Sequence, residues 1–149
     1  MDLYNDYVVN TAFTFDIEAR SLENRLEWFS TFGATGRYRI LVAEENGQVI
    51  GYAYSSQLRP RAAYDSSVEV TIYLHREYIG RGIGRALYSA LFAQLAEENI
   101  HRVYAGITLP NPGSVGIHES FGFQHAGTFH EVGYKFGHYL DVAWYEKAL

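Results

Sequence analysis

The sequence predicts an α/β fold with a mixed sheet, and three observations support this prediction. Residues Ser67–His75 alternate between apolar and polar side chains, as a half-buried strand does. The glycine-rich segment Gly80–Arg85 follows and leads into a strongly helical run, Ala86–Asn99. Upstream, Asn46-Gly47 joins two short β-prone runs, which is a strong hairpin signal. Antiparallel strands that precede a strand–loop–helix unit indicate a mixed sheet with helices packed against it.

The first half of the chain is expected to contribute one helix and three strands. Leu22, Leu26 and Phe29 recur at helical spacing with charged residues between them. The alternating strand places its even-numbered apolar residues, 68–74, on one face and Glu69 on the other. The elements expected before that strand are a helix within residues 17–32, hairpin strands over 39–44 and 49–55, and a loop over 56–65.

The second half is expected to begin with the best-supported helix of the chain. Apolar side chains recur at every fourth position from Ile83 to Leu95, which gives the helix one face suited to packing on a sheet. The other elements expected here are a strand over 103–109, a turn at 111–113, a short helix over 114–120 capped by Ser114, weaker alternation between Phe129 and Tyr134, and a final β-prone run over 140–145.

Length and composition predict a single globular domain, residues 1–149, with 48% hydrophobic and 19% charged residues. The formal net charge of −5 argues against a nucleic-acid partner, because phosphate backbones select clustered Lys and Arg. The chain has no cysteine, which excludes disulfides, a thiolate nucleophile and cysteine-ligated zinc. Neither a signal peptide nor a membrane-spanning run is recognised, so we expect a cytoplasmic protein without a membrane partner.

The glycine-rich loop predicts a phosphate site. Glycines at alternate positions let the backbone turn tightly and approach a ligand, and the free N–H groups of the following helix attract anions. The spacing is G-x-G-x-G, which is neither the dinucleotide-binding pattern nor a P-loop, because Arg85-Ala86 stands where a P-loop needs Lys and Ser or Thr. By itself the loop could equally be a turn that only joins strand to helix.

Several segments together resemble the GNAT family of N-acetyltransferases. Gly82 and Gly84 match the small positions of that family's pyrophosphate-binding loop, while Ile79 stands where Gln or Arg is usual. A closer resemblance, over nearly the whole chain, is to the branch that acetylates phosphinothricin and methionine sulfone or sulfoximine. The matching residues are Thr14, Phe15, Asp16 and Glu18; Arg61, Ala63, Tyr64, Val68 and Glu69; Leu109, Pro110, Asn111, Ser114, Val115, His118, Glu119, Gly122 and Phe123; and Val132, Gly133, Lys135, Gly137, Asp141, Val142 and Trp144.

The resemblance implies a mixed, mostly antiparallel sheet flanked by helices, with acetyl-CoA as co-substrate and no metal. In such proteins backbone N–H groups of one strand hold the thioester carbonyl, and the glycine-rich loop holds the pyrophosphate. The residues of this chain to which the resemblance assigns acetyl-CoA contacts are Ile72, Tyr73, Leu74, Gly80, Arg81, Gly82, Ile83, Gly84, Arg85, Asn111 and Ser114. Asn111 and Ser114 could equally be turn and cap residues.

Two residues are candidates for proton transfer. Glu69 lies on the polar face of its strand and could take a proton from the substrate ammonium, directly or through water. His118 stands where many members of the superfamily carry a Tyr that protonates the departing thiolate, and imidazole can act as acid or base. Without the resemblance, Glu69 would be assigned to a solvated strand face and His118 to a structural position.

The substrate is expected to be a small amino acid with a phosphinate, sulfone or sulfoximine side chain. Arg59, Arg61 and Tyr64 lie in the loop that enters the strand of Glu69, where relatives bind the acidic group of the substrate, and Arg can do this bidentately. Phe15 is expected to line the pocket. The alternative for the two arginines is a solvated loop.

Two other functions fit the same sequence features. The acceptor could be a protein N-terminus, a ribosomal protein or a polyamine, or the chain could bind acyl-CoA without catalysis. The paired arginines argue against a polyamine, and the presence of both Glu69 and His118 argues for catalysis. A metal site is disfavoured, because the spacings of the histidines provide no pair of the kind that ligates zinc. The resemblance also implies a homodimer, which the high tyrosine content fits.

Overall fold

The computed structural model describes residues 1–149 and contains one six-stranded sheet. Two short 3₁₀ turns, Ala62–Tyr64 and Arg76–Tyr78, flank the third strand. The helices and strands in chain order are α1 (Asp2–Asn10), α2 (Leu22–Phe29), β1 (Ile40–Glu45), β2 (Gln48–Gln57), β3 (Ser67–Leu74), α3 (Ile83–Leu95), β4 (Arg102–Thr108), α4 (Pro112–Ser120), β5 (Gln124–Lys135) and β6 (His138–Ala148).

The strands are ordered β1-β2-β3-β4-β6-β5, and every neighbouring pair is antiparallel except β3 and β4. The predicted mixed, mostly antiparallel sheet is therefore confirmed. The β1–β2 hairpin turns at Asn46 and Gly47, whose φ angles are 51° and 78°. Both residues adopt the left-handed conformation that this turn type requires, which is why the Asn-Gly pair predicted it.

The main hydrophobic core lies between the sheet and α3. Leu91, Leu95 and Tyr88 are fully buried there against Val68 of β3 and Val103 of β4. Residues of α4 pack against the same cluster. The apolar face predicted for α3 and the apolar face predicted for β3 thus meet, and their contact fixes the glycine-rich loop between them.

The opposite face of the sheet is covered by α1 and α2 through an aromatic cluster. Tyr7 of α1 packs edge-on against Tyr73 of β3, and Trp28 of α2 packs against Tyr52 and Tyr54 of β2. Helix α1 was not predicted. It has no side-chain cap at its start and only nine residues, too few for a stable isolated helix, so its stability comes from this tertiary contact rather than from its own sequence.

Several predicted boundaries differ from the structure. Helix α2 is shorter than the predicted 17–32, and α3 begins at Ile83, because the backbone is already helical after Gly82. Helix α4 begins at Pro112 and its cap is Asn111, whose side chain accepts a hydrogen bond from the Ser114 N–H at 3.1 Å, so the prediction of Ser114 as the cap was wrong. Strands β5 and β6 are longer than their weak alternation predicted.

None of the helices combines the length and the hydropathy needed to cross a bilayer.

Candidate active site

The neighbouring parallel strands β3 and β4 pair only at their beginnings. Their ladder contains three residue pairs and ends with Glu69 opposite Tyr104. Beyond that point residues 70–74 of β3 and 105–108 of β4 diverge, and both segments line a cavity of about 460 Å³. The divergence leaves main-chain groups of both strands facing one gap, which is a setting for an extended polar ligand.

One side of the cavity is formed by the glycine-rich loop and the start of α3. Gly80 and Gly82 have φ angles of 83° and 81°, in the left-handed region, and Gly82 is the residue that precedes the helix. The first N–H groups of α3 have no partner within the helix, so the loop presents free donors to the cavity. Ile79, Gly80, Gly82, Gly84 and Arg85 line it.

Gly84 differs from the other two glycines of the loop. A Cβ built on it would lie 2.9 Å from Cδ1 of Ile117 in α4 and 3.3 Å from Cδ1 of Leu74 in β3. The absence of a side chain therefore allows α3, α4 and β3 to meet closely. Arg81 and Ile83 do not line the cavity: the Arg81 guanidinium lies over the ring of Tyr78, and Ile83 packs against the core.

The other side of the cavity is formed by α4. Asn111 and Ser114, which the sequence predicted as coenzyme contacts, line it, together with four residues that were not predicted, Gly113, Gly116, Ile117 and Ser120. Spacing alone offered no signal for these four, since they line the cavity only because α4 packs beside the diverging end of β4.

Glu69 lies at the point where β3 and β4 separate. Its side chain is half-buried and forms no ion pair, and burial raises the pKa of its carboxyl, an effect that the nearby charge of Arg59 opposes. Glu69 does not itself line the cavity, but Thr71 and Tyr73, which share its face of the strand, do. A carboxylate with a raised pKa beside a cleft is suited to accept a proton near neutral pH.

His118 lines the cavity and is 3% exposed. Its Nδ1 lies 2.7 Å from the carbonyl oxygen of Ser114, which can only accept, so Nδ1 carries the proton. Its Nε2 therefore accepts from the hydroxyl of Tyr88, 2.9 Å away. Burial lowers the pKa of His118, so the ring is neutral at pH 7 and both of its nitrogens are engaged.

Helix α1 adds a cavity residue that sequence reasoning missed. Tyr7 lines the cavity, and its hydroxyl donates to the carbonyl oxygen of Leu74 at 2.7 Å. This bond holds α1 against the end of β3. The segment after α1 contributes Phe13 to the same cavity.

The four predicted substrate residues lie outside the cavity. Phe15 packs over Gly133 of β5, and the guanidinium of Arg59 lies 5.8 Å from the ring centroid of Trp144. Arg61 and Tyr64 are exposed, at and within the first 3₁₀ turn. Of the four, the structure brings only Arg59 close enough to Glu69 for its charge to affect that carboxylate.

The sequence matches a family model described as an acetyltransferase (GNAT) domain over residues 1–144. It is 50% identical to the phosphinothricin N-acetyltransferase of Streptomyces coelicolor, over 99% of this chain and 88% of that protein. It is also 36% identical to the L-methionine sulfoximine/L-methionine sulfone acetyltransferase of Pseudomonas aeruginosa, over 94% of this chain and 81% of that protein.

Solved structures show the same fold. A phosphinothricin acetyltransferase from Sinorhizobium meliloti in complex with acetyl-CoA matches with a TM-score of 0.93 and 36% identity, over 99% of this chain and 80% of that chain. A ribosomal-protein-alanine N-acetyltransferase from Brucella melitensis matches with a TM-score of 0.92 and 37% identity, over 99% and 91%. The chain therefore belongs to the GNAT family of N-acetyltransferases.

Proposed function

We propose that this protein transfers the acetyl group of acetyl-CoA to the amino group of a small amino-acid-like substrate of the phosphinothricin, methionine sulfone or methionine sulfoximine type. The observation that carries the proposal is the gap between β3 and β4, which opens beside Glu69 and ends at the glycine-rich loop. The names of the relatives from Streptomyces coelicolor and Pseudomonas aeruginosa support the choice of substrate.

Acetyl-CoA fits the donor set of the gap and would supply the thioester that is attacked. Backbone groups of Ile72, Tyr73 and Leu74 would hold the pantetheine arm and the thioester carbonyl, since these residues line the gap where β3 has left β4. The amides of Gly80–Arg85 would hold the pyrophosphate, and Asn111 and Ser114 would contact the coenzyme from α4. No group of three metal-ligating side chains occurs in the structure, and the proposal uses none.

Glu69 is the proposed general base. The raised pKa of its carboxyl suits it to accept a proton from the substrate ammonium, directly or through water, after which the free amine can attack the thioester. Arg59, whose charge acts on Glu69, is the best placed of the predicted substrate residues to attract an acidic group. Phe15, Arg61 and Tyr64 would complete the outer part of this pocket.

His118 is proposed as the proton donor for the leaving thiolate, with one restriction from its geometry. The single proton of the neutral ring, on Nδ1, is donated to the carbonyl of Ser114 and is too weakly acidic to protonate a thiolate. Nε2 would therefore first accept the proton that the attacking amine loses, in place of its hydrogen bond from Tyr88, and then pass that proton to the sulfur. The buried Tyr88 hydroxyl cannot itself supply the proton, because burial raises the pKa of Tyr88 well above its usual value. His118 therefore contributes to the position of α4 whether or not it donates a proton.

A release assay for free coenzyme A thiol, run over a panel of amines, tests the proposal. Methionine sulfone and phosphinothricin should react, and Glu69→Gln should lower kcat by roughly 10²- to 10⁴-fold, the usual contribution of general base catalysis, at unchanged acetyl-CoA affinity. Binding of acetyl-CoA without turnover of any amine would contradict the proposal and favour a non-catalytic acyl-CoA-binding module.

A protein or peptide N-terminus is the second candidate acceptor, because the Brucella melitensis structure is named for a ribosomal protein substrate. Peptides with an N-terminal alanine belong in the same panel. A higher kcat/KM for such a peptide than for methionine sulfone would favour this alternative.

We also propose that residues 1–149 act as one catalytic domain within a homodimer in the cytoplasm, where acetyl-CoA is available. The sheet, to which segments from Ile40 to Ala148 contribute strands, supports the first part. The exposed aromatic side chains of the β5–β6 hairpin support the second, because clustered apolar surface marks an interface.

A further inference from the structure

The segment between α1 and α2, residues 11–21, crosses the face of the sheet that carries Glu69; we call it the strap. Its residue Phe13 lines the cavity. On the α1 side the strap is held by Tyr4, whose hydroxyl donates to the carboxylate of Asp16 at 2.7 Å and lies 3.0 Å from Oγ1 of Thr14. These contacts fix one edge of the strap.

The tip of the β5–β6 hairpin holds the other edge. The ammonium of Lys135 donates to the carbonyl oxygen of Thr14 at 2.8 Å. Two residues earlier on the same face of β5, Gly133 lies directly under the ring of Phe15, which occupies the space that a Cβ of Gly133 would need. Thr14 and Phe15, which are consecutive in the strap, therefore contact Lys135 and Gly133, which are alternate residues of β5. Any side chain at position 133 would displace Phe15.

Lys135 is the one buried charged residue that the proposed chemistry does not use. It is 5% exposed and forms no ion pair, and burial lowers the pKa of its ammonium against the attraction of Asp16. Burying an ammonium without a paired carboxylate is costly, and a single hydrogen bond to a carbonyl offsets only part of that cost. The contact with Thr14 is thus maintained at the expense of stability, as is common at functional sites.

We propose that Gly133 and Lys135 are positioning residues for the amine substrate, which seat the strap at Thr14 and Phe15 so that the neighbouring Phe13 closes one side of the cavity. This inference rests on the proposed function. We assign the effect to the amine rather than to acetyl-CoA, because the contacts that hold Thr14 and Phe15 come from Tyr4, Gly133 and Lys135 and not from the glycine-rich loop or α4.

The test compares two alanine substitutions in β5. Gly133→Ala pushes Phe15 aside, whereas Gly127→Ala meets no atom within 4 Å and serves as the matched control. We expect Gly133→Ala to raise KM for the amine by about tenfold, because a misplacement of about 1 Å at a site costs up to about 10²-fold. KM for acetyl-CoA and kcat should match those of the control.

A double-mutant cycle with Phe15→Ala then locates the effect. If Gly133→Ala acts through the ring, it should raise KM for the amine much less in the Phe15→Ala background. Lys135→Met should also raise KM for the amine, while Lys147→Met controls for loss of a positive charge elsewhere.

The outcomes separate the inference from the function on which it rests. A wild-type enzyme that acetylates no amine contradicts the proposed function. A wild-type enzyme that is active, with Gly133→Ala equal to Gly127→Ala in KM for the amine, overturns the inference alone. The inference is also overturned if Gly133→Ala raises both KM values and lowers kcat and the melting temperature together. That pattern would indicate general destabilisation.

Discussion

Glu69 shows how a residue can be placed for chemistry at a cost to stability. Because its pKa is raised in the folded protein, the folded state holds the proton more tightly than the unfolded chain does. Protonated Glu69 contributes stability that is fully present below pH 4.5, the ordinary pKa of the carboxyl. This contribution is lost as pH rises through the higher pKa of the folded state. At neutral pH the ionised carboxylate therefore weakens the fold.

The first prediction is that Glu69→Gln stabilises the protein at neutral pH. The melting temperature of Glu69→Gln should exceed that of the wild type at pH 7, and the difference should shrink towards pH 4, where the wild-type carboxyl is protonated. Calorimetry across this range measures it. A pH-independent difference between the two proteins would show that burial does not perturb this carboxyl.

The second prediction concerns His118, whose lowered pKa has the opposite consequence. In the unfolded chain His118 binds a proton near pH 6.5, its ordinary pKa, whereas in the folded protein it does not. The neutral buried ring therefore contributes its full stability above pH 6.5, and that contribution is lost as pH falls below this value. In His118→Phe the free energy of unfolding should no longer decrease for this reason as pH falls. The substitution also removes two buried hydrogen bonds, which lowers stability at every pH. Equal loss in both proteins between pH 7 and pH 5 would mean that the ring protonates within the fold.

The residues that could be predicted from the sequence are those whose role depends on a local pattern. Gly80, Gly82 and Glu69 were identified because a tight turn and strand alternation are visible along the chain. Tyr7 was missed because α1 becomes helical only through its packing on β3, and Gly133 drew attention only as a matching residue, because its partner, Phe15, is remote in sequence. Contacts between distant segments determine the proposed substrate side, and a single sequence does not display them.

At the scale of elements, the glycine-rich loop and α3 act as one unit whose glycines serve two purposes. Gly82 supplies a left-handed backbone angle, and Gly84 supplies space for α4 and β3. The sequence predicted the loop and the helix because both follow local rules. The residues alone could not predict the divergence of β3 from β4, since both strands have ordinary alternation and nothing in their pattern marks the end of pairing after Glu69.

The third prediction contrasts these glycines. Gly82→Ala should destabilise the fold by about 1 kcal/mol, because a left-handed angle is strained for residues with a Cβ, although no atom lies within 4 Å. Gly84→Ala should instead raise KM for acetyl-CoA by displacing Ile117, and Ile117→Val should restore it. Chemical denaturation and steady-state kinetics separate the two effects, and identical behaviour of both variants would refute the assignment of separate purposes.

At the scale of the whole molecule, the β5–β6 hairpin exposes a group of large apolar side chains. The side chains that are more than half exposed there are those of Phe129, Val132, Tyr134, Phe136 and Tyr139. A surface of this kind suits contact with another protein, and the proposed homodimer would bury it. The edge strand β5 would then also be protected from unwanted strand pairing.

The fourth prediction is that the protein sediments at about twice its chain mass of 16.9 kDa. Tyr139→Glu should convert it to the monomer, because a charge buried in an apolar interface is unfavourable. Val42→Glu, on β1 at the far edge of the sheet and similarly exposed, is the control and should leave the dimer intact. Monomeric wild-type protein at micromolar concentration would refute the dimer.

The three-pair ladder between β3 and β4 divides the sheet into two halves, β1–β3 and β4–β6, joined by a narrow seam. A molecule that binds along this seam contacts both halves at once, so its binding holds them together. Because such a molecule binds the folded state alone, its concentration sets how firmly the halves stay together. The enzyme should therefore be least resistant to heat and proteases when its acyl donor is scarce, which ties the lifetime of the protein to the supply of what it consumes.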